Sequence, residues 1–389
     1  MIYKFLTIAD IHWGAMDSYI MYNNLQLFLE FIRQMKDEID FVVIAGDYFD
    51  YRLQLNSKTA LLAIKWFDEL IDTCKNSNVK KVRMFKGTRE HDNDQLEVFR
   101  PTHETDDGYF RLFNTTDSEE LLPGLRSVYC PDENMNLTEY HQTYFSKFIP
   151  YPNIGFFHGN FDTILPEIEY NRIQEHNLST MIYEYDRFSR VIKGPLISGH
   201  WHVKSDYESL YYVGSFDRWK FNEEDDKGFI YGEINTEDGS YFIHRVTNPL
   251  ARNYKTLIVD SDQYSTPEHF ASLANIINTK LKEDPDMKLR VSYLLSSTNE
   301  EALINFNIFQ RQYSTSKQVR IDLKDLVKRE AKKATKKRVE IEASKYNYIF
   351  DSDIKNIPAI VRQFIIDNKS VDVPISSIEK YLSKYLDKL

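Results

Sequence analysis

Five short clusters of Asp, His and Gly follow one another between residues 10 and 202. They are Asp10-Ile-His12, Gly46-Asp47-Tyr-Phe-Asp50, Gly87-Thr-Arg-Glu90-His91-Asp92, Phe157-His158-Gly159 and Gly199-His200-Trp-His202. Each lies at or just beyond the end of a β-branched, apolar run: Ile2–Ile8, Phe41–Ala45, 79–85, Ile154–His158 and 191–199. Between the first three runs, 22–37 and 61–74 carry apolar residues at helical spacing, with Leu25, Phe28, Leu29, Ile32 and Met35 in the first. A short continuous apolar run such as Phe41–Ala45 suits a strand buried on both faces. The β-α-β repetition predicts a layered α/β domain with polar chemistry gathered at its strand ends.

Composition allows this and removes alternatives. Hydrophobic residues make up 42% of the 389, with 26 Tyr and 25 Phe, enough for large cores and too many for low-complexity disorder. Thirteen Gly are far too few for a collagen-like chain. The length predicts two or three domains. Cys74 and Cys130 make no disulfide framework, so a reduced, cytosolic setting is expected. The start, MIYKFLTIADIHWG, has no basic region followed by an apolar signal segment, and no apolar run is long enough to cross a bilayer, so no membrane association is expected. With 49 Lys+Arg against 59 Asp+Glu the formal charge is −10, which by itself argues against a phosphate-rich partner. The charge is uneven, however. Residues 321–389 hold 15 Lys+Arg and 11 Asp+Glu, a net of +4, which leaves −14 for residues 1–320.

Beyond the clusters, residues 100–136 show only a weak pattern. Strands are predicted at 210–213 and 227–234. From about 251 a smaller α+β module follows, with strands at 256–259 and Lys288–Leu295 and helices at 267–282 and 300–310. After 321 the character changes. Lys328, Arg329, Lys332, Lys333, Lys336, Lys337 and Arg338 would give a helix a broad cationic side, and two amphipathic stretches follow, near 357–366 and 375–389. Such a charge run is usually a solvated face; contact with DNA phosphates and docking on an acidic protein surface are the functional alternatives.

Carboxylate oxygens and imidazole nitrogens together suit borderline divalent metals such as Mn, Fe or Zn. Asp-x-His at a strand end brings both side chains within reach of one ion, and the two histidines of Gly-His-x-His are expected to point the same way, by the period of 2. Asp47 would bridge two ions, an arrangement that clamps a phosphate and activates water. Singly, each residue has an ordinary explanation: Asp10 a helix cap, His158 a core histidine, Asp50 a turn acceptor. The ordered set predicts a two-metal site. Trp13 and Tyr48 sit within the clusters and either pack beneath the site or line its cleft. His103, His141, His176, His244 and His269 fall outside the clusters and are expected to be structural or surface residues.

This order of motifs resembles the calcineurin-like metallophosphoesterases and, among them, the SbcD-type nucleases of bacterial and bacteriophage repair and recombination. Tyr212-Val-Gly-Ser-Phe-Asp217 and Lys227-Gly-Phe229 are similar to elements that end that nuclease domain. The resemblance implies a four-layer α/β/β/α sandwich over residues 1–250, an α+β capping domain that contacts DNA over 251–320, and a basic helical region over 321–389 that docks a coiled-coil ATPase resembling SbcC. It implies two divalent ions, Mn first and Mg, Fe or Zn as alternatives. Asp10, His12, Asp47 and His202 would hold one ion, and Asp47, His158 and His200 the other. His91 would act on the phosphate and Asp92 would orient it. Where the family has Gly-Asn-His-Asp, this chain reads Gly87-Thr-Arg-Glu-His-Asp92, so Glu90 becomes the first candidate for the missing ligand, Thr88 the second, and neither the third possibility. Lys332, Lys333, Lys336 and Lys337 would contact DNA. A homodimer through the 48–75 and 92–113 regions and a cytoplasmic location in a bacterium or an infected host are also implied. The competing readings are a phosphoesterase for small esters or cyclic nucleotides, and a weakly active scaffold for a DNA-bound ATPase.

Overall fold

The computed structural model describes residues 1–133, 135–164, 182–221, 223–295 and 300–325. They form two compact units. Among the described residues, one is Met1–Leu257 with Ala274–Val291 and Thr315–Arg320; the other is Ile258–Leu273 with Ser292–Ser314 and residues 321–325. The expected 251–320 module contributes segments to both.

The first unit is built on two six-stranded sheets. In one, β1 (Ile2–Ile8), β2 (Phe41–Ala45), β3 (Lys81–Phe85) and β4 (Phe110–Phe113) run parallel. The other comprises β5 (Asp117–Leu122), β6 (Leu125–Cys130), β7 (Ile154–His158), β10 (Leu196–Gly199), β11 (Ser205–Tyr207) and β12 (Leu210–Tyr212), in the order β11-β12-β10-β7-β6-β5. A short pair, β8 (Asn160–Phe161) and β9 (Ile182–Tyr183), lies outside both. Antiparallel β13 (Gly228–Asn235) and β14 (Tyr241–Thr247) extend the first sheet beyond β1. The helices are α1 (Ser18–Gln34), α2 (Lys58–Asn76), α3 (Arg100–His103), α4 (Leu137–Tyr144) and α5 (Tyr185–Val191).

Strand alternation sorts the apolar side chains into layers. Leu6, Val42 and Ile44 face α1 and α2, packing with Leu25, Phe28, Trp66 and Phe67. Phe5, Phe41 and Val43 face the second sheet and meet Tyr129, Phe156 and Ile197. The second sheet's far face, with Val128, Phe157 and Leu196, packs against Tyr140 of α4 and Phe188 of α5. The result is four layers, α/β/β/α, and both sides of β2 are buried, as its unbroken apolar run requires. Side chains cap both long helices: Asp17 accepts from the Tyr19 N–H at 2.9 Å, and Ser57 from the Ala60 N–H at 3.2 Å.

Three readings change. The weak 100–136 stretch contains β4, β5 and β6; β5, Asp-Ser-Glu-Glu-Leu-Leu, is an edge strand, where charge is tolerated and the apolar signal fades. Edge strand β14, Tyr-Phe-Ile-His-Arg-Val-Thr, also lies outside the sequence expectations, although aromatic and β-branched residues fill most of it. Of the strand expected at 191–199 only Leu196–Gly199 forms, because Val191 ends α5 and Gly194-Pro195 breaks the run.

Beyond β14 come β15 (Tyr254–Asp260), α6 (Pro267–Glu283), β16 (Lys288–Leu295), α7 (Glu300–Gln312) and β17 (Val319–Asp325), and the strands form a three-stranded sheet ordered β15-β16-β17. Phe270, Tyr293, Phe306 and Phe309 pack together in the second unit, with Tyr293 and Phe306 stacked at 4.6 Å. Lys332, Lys333, Lys336, Lys337 and both amphipathic stretches lie outside the described residues. No helix among the described residues is long and apolar enough to cross a membrane.

Phe156 stands at the centre of the inter-sheet layer, stacked on Tyr129 at 5.6 Å and edge-on to Phe5 at 6.1 Å. Phe156→Ala is expected to lower stability by about 3–5 kcal/mol in denaturant unfolding; a loss under about 1 kcal/mol would show that the two sheets are not held there.

Candidate metal centre

Parallel strands release their carboxyl ends at one sheet edge, where ligands of α/β folds gather. Here β1, β2 and β3 end beside one another, and β7 and β10 end beside one another in the facing sheet. The two edges are tied where His158 Nδ1 meets the Ala45 carbonyl at 2.9 Å. Past the strands, the exits of β1 and β2 stay paired, with Asp10 N–H on the Gly46 carbonyl at 3.2 Å and His12 N–H on the Asp47 carbonyl at 3.0 Å.

The backbone is bent where the ligands stand. Asp10, His12, Asp47 and His200 have φ of 50, 53, 47 and 87°, a region that non-glycine residues rarely occupy and that gathers at functional sites. Two glycines make the crowding possible. A Cβ at Gly46, itself at φ 77°, would come within 2.2 Å of His158 Nδ1, and one at Gly87 within 2.1 Å of the Asp47 nitrogen.

Seven of the nine residues expected at the centre converge in three overlapping groups, whose ligand atoms lie within 4.8 Å of one another: Asp10, His12 and His202; Asp47, His158 and His200; and His12, Asp47 and His91. Asp47 is common to two groups. Its Oδ2 lies 3.2 Å from His158 Nε2 and 3.9 Å from the Nε2 atoms of His12 and His91. The two histidines of Gly-His-x-His part company, against the expected common direction. β10 ends at Gly199 and His200 turns to positive φ, so the period of 2 no longer applies.

Two other residues take different places. Glu90 is exposed and belongs to none of the three groups, whereas the Thr88 hydroxyl sits 3.0 Å from Asp47 Oδ2 and 3.4 Å from His158 Nε2, with its N–H on Asp47 Oδ1 at 2.6 Å. Asp92 does not orient the His91 ring. Its buried carboxylate accepts from the Phe49 N–H at 3.0 Å and the Gly87 N–H at 2.7 Å, and His91 Nδ1 donates instead to the Asp50 carbonyl. Trp13 and Tyr48 are fully buried beneath the site, Tyr48 donating to the Ala63 carbonyl at 2.6 Å, so the packing reading applies to both. Among the remaining histidines, His103 pairs with Asp68 at 2.7 Å; His176 lies outside the described residues.

Two supporting residues, Glu223 and Trp219, had no motif to announce them, and a third, Asp50, was singled out within the second cluster only as a turn acceptor. Glu223 is buried and meets His202 Nδ1 at 2.8 Å, which fixes that ring. Trp219 donates its indole N–H to the Asp10 carbonyl at 3.2 Å and its backbone N–H to Glu223 at 3.0 Å. The Asp50 carboxylate lies 3.2 Å from His12 Nδ1, a close ion-pair contact without the alignment of a hydrogen bond. Lys227 and Ser215, within elements already singled out by sequence, hold the His202 carbonyl at 2.7 Å and, through the Ser215 N–H, at 3.1 Å.

The donor set fits divalent cations. His12 Nε2 and His202 Nε2 face each other at 2.9 Å, and His200 Nδ1 is buried with no hydrogen-bond partner among the described residues. Buried imidazole nitrogens without partners are costly unless they serve as ligands. Electrostatics agree. Burial and the charge on His158 bring His200 down to about 3, keeping it neutral. Burial alone would lower His158, yet the Asp47 and Asp10 carboxylates push it up to about 10. Burial likewise opposes ionisation of Asp47, but His158 and His12 hold its carboxyl well below the usual range. Burial raises Asp10, with His158 and His202 opposing.

A two-sheet sandwich whose strand ends gather carboxylates and imidazoles around one shared Asp defines a metal-dependent hydrolase. The chain matches the Calcineurin-like phosphoesterase family over residues 3–204, more than half its length, and belongs to that family. It is accordingly a metal-dependent phosphoester hydrolase. No curated protein matches the sequence.

Asp47→Ala is expected to abolish uptake of both cations, measured as bound metal per chain; full stoichiometry would remove Asp47 from the bridging position. The His158 pair sets a pH dependence. Its folded pKa, raised to about 10, means that the protonated pair stabilises the metal-free fold fully below the ordinary histidine value and that this contribution is lost as pH rises through about 10. A cation competes for the same nitrogen, so affinity should rise with pH across that interval and binding should release a proton. Calorimetry in two buffers of different ionisation heat would read the release directly; identical heats would rule it out.

Proposed function

We propose that the chain is a DNA nuclease subunit that hydrolyses phosphodiester bonds, working with a coiled-coil ATPase partner resembling SbcC in the cytoplasm of a bacterium or infected host. The observation that carries this reading is the setting of His202. The Tyr212–Asp217 and Lys227–Phe229 elements, on which the resemblance to SbcD-type nucleases rests, are those that hold the His202 loop through Ser215 and Lys227. A second support is the β15-α6-β16-α7-β17 segment that follows, for which a small-ester hydrolase has no need.

When bound, two divalent ions, Mn by resemblance, neutralise phosphate charge and lower the pKa of a water. This chain's residues do the rest. Asp10, His12 and His202 would hold one cation and Asp47, His158 and His200 the other, with Asp47 placed to be shared. His91 stands at the margin, 31% exposed in its side chain. Because Nδ1 carries the proton given to the Asp50 carbonyl, Nε2 is the atom that exchanges one. Facing Asp47 Oδ2 across 3.9 Å, Nε2 is placed to donate to a phosphate oxygen or to the leaving oxygen. A homodimer through the 48–75 and 92–113 surfaces and DNA contact by Lys332, Lys333, Lys336 and Lys337 belong to the same reading.

Purified chain with Mn should cleave labelled linear DNA, and His91→Ala should lower the rate by about 10²- to 10⁴-fold. A small phosphate ester is run in parallel. Ester turnover without DNA cleavage would sink the nuclease reading. Inactivity on both, with the ATPase partner added, would leave a scaffold.

A further inference from the structure

The residues that would hold the second cation come from both sheets, with Thr88 beside Asp47. Asp47 and Thr88 come from the first sheet, and His158 and His200 from β7 and the exit of β10. The neighbouring strand on the other flank of β7 is β6, and its end has so far played no part. Register places it closely. Cys130 of β6 pairs with Phe157 of β7, and Gly199 of β10 pairs with His158. The chain leaving β6 therefore passes Pro131 level with His158, and Asp132 follows at the same edge where the ligands emerge.

Asp132 is held in a fixed segment. Tyr183 donates to the Pro131 carbonyl at 3.1 Å, and Glu133 accepts from the Thr116 N–H at 2.8 Å. Between these anchors the Asp132 carboxylate, itself only partly exposed, has no hydrogen-bond or ion-pair partner among the described residues. An anion withdrawn from water without a donor is unfavourable unless a positive group completes it. The surroundings point to where that group lies. Burial pushes Asp132 up to about 6; His158 opposes this, and Asp47, Glu90 and Glu133 add to it. His158 and Asp47 both belong to the second ligand group, so Asp132 lies within reach of that group's charge.

The geometry points to Asp132 as a positioning residue of the second cation, an acceptor for the ligands that complete its shell on the β6 side. This rests on the two-ion reading of the site. Outer carboxylates of this kind act on affinity by orienting ligands and adding negative potential, and their loss commonly lowers metal affinity by about 10- to 100-fold. Glu90, exposed on the 87–92 loop, adds charge without taking that place.

The test is calorimetric titration of the full chain with Mn²⁺, wild type against Asp132→Asn and Asp132→Ala. Wild type should take up two ions. Both variants should bind the first with unchanged affinity, which also reports an intact fold, and the second about 10- to 100-fold more weakly. Two ions bound by Asp132→Asn as tightly as by wild type would overturn the role of Asp132 alone. A single ion in wild type would overturn the two-ion reading and this assignment with it. Weakening of both ions together in the two variants would mark Asp132 as merely structural and overturn the assignment.

Discussion

The site depends on one buried carboxylate. Asp47 lies among four histidines at the meeting of two sheet edges, and a carboxylate there is tolerable only with strong partners. It has them in Thr88, through both N–H and hydroxyl, and in the His158 imidazole. Hydrogen bonds to a charged acceptor of this kind contribute about 1.5–3 kcal/mol each, more than a neutral bond. The partners come from β3's exit and from β7, so Asp47 joins the first sheet to the second at the point where chemistry occurs. The positive φ of Asp47 and the bare Cα atoms of Gly46 and Gly87 are the conditions for that approach. Remove any of these and the shared position is lost before a ligand is.

The 47–53 segment and the 87–92 loop brace each other. Asp92 reaches back to the Phe49 and Gly87 N–H groups, and Asp50 reaches forward to His12 with its carboxylate and to His91 with its carbonyl. The two acids have exchanged the duties that the motif suggested. The consequence for His91 is chemical. A carbonyl fixes the Nδ1 tautomer as well as a carboxylate does, but it stabilises a charged ring less, because a full negative charge is missing. The bracing carboxylate is instead kept inside, where burial and Asp47 push Asp92 up to about 6 against the two N–H bonds it accepts.

Much of this was legible because strand period and motif order carry geometric information. Continuous apolar runs gave β1, β2 and β7 their bounds, and the strand-end positions of Asp10, His12, Asp47, His158, His200 and His202 followed. What stayed hidden is equally physical. Edge strand β5 opens on Asp-Ser-Glu-Glu, so no apolar pattern marks it. Trp219 acts on Asp10 across 209 residues of sequence and Glu223 on His202 across 21, and contacts of such spans leave no local trace. Glu90 was favoured for adjacency to His91, whereas the turn at 88–92 puts Thr88 inward and Glu90 outward. Adjacency in a loop sets no direction; only the hydrogen bonds that fold the loop do.

The acidity of the chain takes its meaning from the same centre. A net of −14 over residues 1–320 looks hostile to a phosphate ester, yet Asp10 and Asp47 form part of that total and are the groups that attract divalent cations. Two divalent cations held there would bring four positive charges to a cleft whose own ligand carboxylates supply two negative ones, so the local sign would reverse where the substrate must approach. Outside it the acidic surface remains, repelling phosphate at range and screened within about 10 Å at moderate salt. On the two-ion reading, substrate entry would thereby depend on metal. The same logic favours further carboxylates just behind the ligands: each tightens the cations, and each is neutralised by them before an ester arrives.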